Sequence, residues 1–172
     1  MTESLREPLA APVEPASRSA TEFEKRRGIT QVEGRPGYAQ VHVSRLSGNL
    51  PEERIRVLGG VASGGVSIDF LKLTPSGLSF LIPESESDAA NKSLEPLGVR
   101  YSIRKNRSVV IVEAVNIRDE EGLTATIVQH AIASGANVDH VTDMHDRLLM
   151  VVPTTDETKV VKHLRKALGG LA

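Results

Sequence analysis

Gly65-Val66-Ser67-Ile68-Asp69 and Gly135-Ala136-Asn137-Val138-Asp139 follow one pattern twice. In each, a glycine ends a helical run and an extended segment closes on an aspartate. At the same interval, Leu81-Ile82-Pro83 matches Val151-Val152-Pro153. Similarity at a fixed period marks an internal repeat. The chain therefore reads as two copies of one supersecondary unit.

Around the first tract, Ala39 to Leu46 alternates as a strand should, with Val41 and Val43 on one face. Pro51 to Ala62 reads as a helix, its first turn marked by Pro51, Glu52 and Glu53 and its apolar face by Ile55, Leu58 and Val61 or Ala62. Gly59 and Gly60 weaken that helix and suggest a close approach to a sheet. Val66 to Leu73 and Leu78 to Ile82 are strands joined by the turn Thr74-Pro75-Ser76-Gly77. Ser87 to Leu94 is a second helix, with Ala90, Leu94 and Leu97 on one side, and Val99 to Arg104 a last extended piece. The second copy repeats the order. Ser108 to Val115 is a strand, and Glu121 to Ser134 a helix with Leu123, Ile127, Val128 and Ala131 inward. Asn137 to Asp143 and Leu148 to Val152 form a hairpin, and Asp156 to Leu168 is a helix striped by Val160, Val161, Leu164 and Leu168.

Each half reads β-α-β-β-α, and the first closes with a fourth strand. The expected fold class is α+β, two ferredoxin-like βαββαβ units, each an antiparallel sheet with two helices on one face. The second unit lacks a fourth strand, since only Gly169-Gly170-Leu171-Ala172 follow its last helix. The β-prone piece Ile29 to Glu33, set off by a turn at Gly34-Arg35-Pro36-Gly37, has no slot in the first unit. An unfilled sheet edge invites aberrant pairing, so the early strand is expected to complete the second unit. The expected organisation is a disordered tail over 1–27, a first unit over 28–105 with lead-in strand 29–33, and a second over 106–172. The tail reads so because Pro8, Pro12 and Pro15 lie among small and charged residues with no apolar period. The sheet face opposite the helices carries apolar residues, from which a homodimer is expected.

Composition narrows the function. The chain has 172 residues, with 21 basic and 22 acidic side chains and a net charge of -1, no basic excess for nucleic acid. Aromatic residues make up 3%, too few for base-stacking platforms. With Cys 0 there is no disulfide frame, thiolate metal site or cysteine nucleophile. No apolar run is long enough to span a bilayer and no secretory signal is visible, so a soluble cytoplasmic protein without membrane contact is expected. The glycine-rich run Gly59 to Gly65 lacks the Lys-Ser/Thr of a phosphate loop and sits at a helix end. No cofactor is expected. His140, Asp143, His145 and Asp146 crowd the second hairpin, but alternation along the strand separates His140 from Asp143, so a polar hairpin tip is expected and no metal site. Arg100, Arg104, Lys105 and Arg107 read as a solvated linker between the units.

From Gly28 to Leu168 the arrangement resembles the paired ACT domains of the aspartate kinase regulatory region. The lead-in Gly28-Ile29-Thr30-Gln31-Val32, the two glycine-to-aspartate tracts, and the third strands Leu78 to Pro83 and Leu148 to Pro153 carry the resemblance. It implies a stand-alone, non-catalytic regulatory chain without a kinase domain. Implied partners are a small amino-acid effector, lysine or threonine, and a kinase catalytic chain of amino-acid biosynthesis. It also implies an effector beside the loop between first strand and first helix, where helix N-H groups receive a carboxylate and an acidic side chain receives the ammonium. The family's loop usually reads Asp, any residue, Pro, Gly. Here the loops read Asn49-Leu50-Pro51-Glu52 and Asp119-Glu120-Glu121-Gly122, each keeping part of the pattern. The implied ligand residues are Asn49, Leu50, Pro51, Ser67, Ile68 and Asp69 in the first unit, and Asp119, Glu120, Gly122, Asn137, Val138 and Asp139 in the second. The second loop is the expected site for a cationic amino acid, because Asp119, Glu120 and Glu121 concentrate negative charge there. Glu52 and Glu121 also oppose a docking carboxylate, and Asn49 and Asp119 serve equally as helix caps. The alternative is a degenerate pair kept as a ligand-free assembly module.

Overall fold

The computed structural model describes residues 28–115, 117, 121–144 and 146–168. The tail over 1–27, Asp119, Glu120, His145 and the last four residues lie outside the described residues. In chain order the elements are β1 (Gly28–Ser44), α1 (Leu50–Ser63), β2 (Asp69–Thr74), β3 (Gly77–Pro83), α2 (Ser87–Leu94), β4 (Arg100–Val115), α3 (Leu123–Ala133), β5 (His140–Asp143), β6 (Arg147–Pro153) and α4 (Thr154–Ala167). Short 3-10 turns, Glu84–Glu86 and Glu95–Leu97, flank α2. One six-stranded sheet runs in the order β2-β3-β1-β4-β6-β5, every neighbour antiparallel.

Two long strands hold this sheet together. The second half of β1 pairs with β3 from Tyr38 to Val43 and with β4 through Tyr101 to Arg104. Its first half pairs with the other end of β4, Gly28 opposite Val115 through Pro36 opposite Ser108. Each long strand is thus the first strand of one ferredoxin-like unit and the fourth of the other. The early strand fills the vacant edge of the second unit, as the missing strand after Leu168 implied. Val32 is 1% exposed in the core under α3 and α4. Arg165 of α4 donates from Nε and Nη2 to the Val32 carbonyl at 3.1 and 2.7 Å, securing the outer strand.

Two expectations about the junctions fail. Gly34-Arg35-Pro36-Gly37 does not turn; β1 runs straight through, with register shifts on both sides of Tyr38 and Gly37 at φ +95. Pro36, lacking an N-H, sits where β1 passes from pairing with β4 alone to pairing on both sides. A bulge absorbs what was read as a reversal. Likewise, Arg100 to Arg107 is no linker but part of β4, with Asn106 left-handed at φ 57.

The helices form two outer cores. Val57 and Val61 of α1 meet Val41, Val43, Phe80 and Ile82, while Ile127, Ala131, Val160 and Leu164 meet Val110, Val112, Met150 and Val152. On α1 the expected face is rotated: Ile55 is 70% exposed and Val57 is buried. The inward stripe is Arg54, Val57, Leu58 and Val61, because the Arg54 stem occupies the turn that the pattern gave to Ile55. Gly60 and Gly64 do permit close packing, but against α2 and its following turn. A Cβ on them would lie 2.9 Å from Leu97 Cδ1 and 1.9 Å from Ser93 Oγ.

The sheet face turned away from the helices also differs from expectation. Leu81, Val109, Ile111, Leu149 and Val151 are 1–4% exposed and gather with Tyr38 and Phe70 into a third cluster drawn from both units. His140 on β5 feels the charge of Lys72 on β2, although these strands are the two ends of the sheet order. Phe70 on β2 and Leu81 on β3 gather with Val151 on β6, although β1 and β4 stand between them in the strand order, so the sheet curls. The face that was to drive dimerisation is therefore buried within one chain.

Candidate functional site

In each unit the end of the first strand and the hairpin turn share one end of the sheet, while the second strand starts at the opposite end. In the first unit, Asn49 caps α1 with its backbone carbonyl, accepting from Glu53 N at 3.0 Å, and makes no side-chain cap bond. Leu50 is half-buried and Pro51 exposed, opening the helix. Glu52 and Glu53 fill its first turn, and a hydrogen bond from the Arg56 guanidinium holds the Glu53 carboxyl below the usual range. The Arg54 side chain crosses to the β2–β3 turn, Nε donating to the Gly77 carbonyl at 3.1 Å and Nη2 to the Thr74 carbonyl.

Ser67, Ile68 and Asp69 lie at the other end. Ser67 N donates to Glu86 Oε2 at 2.7 Å, Ile68 packs on the α1–α2 core, and Asp69 is exposed opposite Leu81. The repeat keeps this contact. Asn137 N donates to Asp156 Oδ2 at 3.0 Å, so in both units a carboxylate beside the second helix satisfies the N-H that starts the second strand. Val138 packs on the α3–α4 core. Asp139 lies 3.0 Å from Arg107 Nε through Oδ2, both side chains mostly buried, without the straight N-H···O line of a hydrogen bond. An aspartate expected to receive a ligand's ammonium is thus already beside a guanidinium.

The second loop opens onto a groove of about 750 Å³ lined by Ile117, Glu121, Gly122, Thr124, Ala125, Val128, Gln129 and Asp143. Gly122 at φ +79 turns the chain into α3, whose first turn carries no acidic side chain. Glu121 precedes that cap rather than sitting in the turn. Thr124, Ala125, Val128 and Gln129 recur at the three- and four-residue spacing of one helix face, and β5 contributes Asp143 at its end. Of the expected second-unit residues, Gly122 lines this groove. Asn137, Val138 and Asp139 do not: Asp139 is four residues before Asp143, roughly 13 Å along a strand. The two parts of the expected site are not brought together within one chain.

Sequence reasoning missed the groove-facing side of α3 because it weighed only the inward stripe of that helix. The outward set is mixed, Thr124, Ala125 and Gln129 beside half-buried Val128, and gives no strong pattern. A second hollow, about 570 Å³, lies at the junction of the units, lined by Gly37, Glu84, Ser85, Lys105, Asn106 and Thr154. Glu84 Oε2 there accepts from Asn106 N at 2.7 Å. The crowded hairpin has His140 and Asp143 at opposite ends of β5, and among the described residues no three His, Asp or Glu side chains gather for a metal ion. Burial, then the charge of Lys72, pushes the His140 pKa down. Among the described residues no helix is long and apolar enough to cross a membrane.

No family model matches the sequence. Aspartokinase 1 of Bacillus subtilis is 23% identical over 110 residues, 64% of this chain and 27% of that protein, so the chain spans about a quarter of this curated relative. The regulatory subunit of aspartate kinase from Thermus thermophilus, in its ligand-free form, superposes with a TM-score of 0.77 at 18% identity over 84% of this chain and 100% of that one. The aspartate kinase of Clostridium acetobutylicum gives 0.75 at 16% identity, over 83% of this chain and 35% of the kinase. The fold is that of the aspartate kinase regulatory region, with its paired ACT units.

Proposed function

We propose that this chain is a non-catalytic, cytoplasmic regulatory chain that binds a free amino acid and modulates a separate aspartate-kinase-type catalytic chain of amino-acid biosynthesis. One observation carries the reading: the likeness covers the whole length of a solved chain described as a regulatory subunit.

The effector belongs to the lysine or threonine class and docks in the groove at the start of α3. The first turn of a helix leaves its backbone N-H groups without partners inside the helix, and among the described residues this one carries no acidic side chain against a carboxylate. Ile117 and Val128 supply apolar surface, Thr124 and Gln129 hydrogen-bonding groups, and Asp143 a carboxylate on the far wall. In the sequence Asp119 and Glu120, both acidic, directly precede Glu121. Because one chain keeps Asn137 to Asp139 away from this groove, a site using both would draw on a second copy, and this supports a homodimer on other grounds than a bare sheet face.

A second reading, a ligand-free assembly module, is favoured by three contacts. Glu86 and Asp156 already accept from the N-H groups of Ser67 and Asn137, and Arg107 already lies beside Asp139 as its counter-charge. Calorimetry with lysine, threonine, methionine and branched amino acids separates the two, together with assay of an aspartate kinase catalytic chain with and without this one. Saturable heat and an effector-dependent rate are expected. No heat with any amino acid, yet stable association with the catalytic chain, would leave the assembly reading in place.

A further inference from the structure

The two halves are copies, yet among the described residues the same corner is filled in one and open in the other. Arg54 sits in the first unit where the repeat places Thr124 in the second. Arg54 spans from α1 to the β2–β3 turn and donates to the carbonyls of Thr74 and Gly77. The same turn is held from the loop before α1, where Leu46 N donates to Ser76 O at 2.9 Å. Thr124 is too short for such a span and lines the open groove with Asp143 and Ala125.

The charges follow the same division. In α1, Pro51 lacks an N-H and Glu52 and Glu53 occupy the first turn, so a carboxylate meets repulsion. The guanidinium of Arg54 supplies a cation at the hairpin carbonyls. A charged planar donor making two bonds to half-buried carbonyls is hard to displace, because a competitor must replace both bonds in the same directions. The corner contains its own anions and its own cation, the two ends that a free amino acid would bring.

We propose that Arg54 is a built-in occupant of the first unit's loop, so that the chain takes one effector, at α3, and not two. The statement about the effector rests on the functional reading above; the statement about Arg54 does not.

The test begins without an effector. Arg54→Ala is titrated with methylguanidinium, following the backbone amide signals of Thr74, Ser76 and Gly77. Saturable shifts are expected in the variant and none in the wild type. Exchange of these amides is expected to be about tenfold faster in the unliganded variant. Equal methylguanidinium shifts in both proteins, or exchange unchanged within about twofold, would overturn the proposal. If Arg54→Ala does not fold, the wild-type Arg54 Nε-H decides it: exchange about tenfold slower than in free arginine supports the occupant, and exchange at the free rate refutes it. Calorimetry then treats the ligand, using lysine and threonine. One site per chain, lost in Thr124→Arg, is expected. Two sites, or undiminished binding in Thr124→Arg, refutes the division. If neither amino acid binds, the functional reading fails while the methylguanidinium result still decides the role of Arg54.

Discussion

Val32→Ala places the perturbation in the lead-in strand and the damage in the second unit. Val32 is 1% exposed and packs into the α3–α4 core with Val110, Val112 and Leu164. The change removes two carbons, about 1.6 kcal/mol at about 0.8 per buried carbon, and leaves a cavity of some 50 Å³ worth roughly 1 kcal/mol more. The expected loss is about 2–3 kcal/mol, a fall in Tm of about 5–10 °C for a domain of this size. Urea denaturation gives the free energy, and native-state hydrogen exchange shows where it falls. Amides of Val110, Val112 and Met150 should lose protection before those of Val41 and Phe80. Gln31→Ala, exposed on the same strand, should change stability by less than about 0.5 kcal/mol. A Val32→Ala loss no larger than that of Gln31→Ala would refute the role assigned to this strand.

Other residues give equally direct tests. Asp139→Ala leaves Arg107 mostly buried without its partner and should cost about 2–3 kcal/mol, below the cost for a fully buried pair; Arg107→Met with Asp139→Leu should recover much of it in thermal denaturation. His140 has a folded pKa below its unfolded value near 6.5. The unfolded chain therefore takes up the proton first, and this group's contribution is full above about pH 7 and lost as pH falls through the unfolded pKa. NMR titration should show the depressed midpoint, and His140→Gln should flatten the loss of stability as pH falls from about 7 through the folded pKa. On α1, Gly59→Ala should stabilise by about 0.5–1 kcal/mol, since nothing lies within 4 Å of the new methyl. Gly64→Ala should destabilise, because Ser93 Oγ stands 1.9 Å from that position; equal Tm values for the two variants would contradict the packing.

Elements with a strong local period were legible in the sequence. α2 runs from Ser87 to Leu94 as its pattern predicts, and the Thr74–Gly77 reversal follows from its turn residues. The use of Ile29 to Glu33 was legible too, through an imbalance: one strand too many in front, one too few behind. What escaped depended on partners distant in the chain. Gly34 to Gly37 has turn residues, but two flanking halves paired to one long β4 keep it extended. Ile55 fits an apolar stripe better than Arg54 does, until the carbonyls of Thr74 and Gly77 are near enough to draw the arginine inward. Asp139 has the right chemistry for an ammonium, but Arg107, far from it in sequence, lies against it. The curl of the sheet is invisible to any period, since Leu81 and Val151 read identically whether their face is covered or bare.

The shared long strands also bear on how a signal crosses the molecule. Among the described residues there is no hinge between the halves to open or close, because the same two strands carry one sheet through both by way of Gly37 and Asn106. Pulling on the end of β4 at Val115 also pulls on the strand that borders β1 in the other half. The units are joined as two ends of one beam, so a bend or twist imposed at one end is felt at the other. For the same reason the chain cannot be divided into its repeats. A cut between residues 105 and 106 would break β4 and leave the first piece holding residues 28–36, the strand that completes the second unit and that the second piece would then lack.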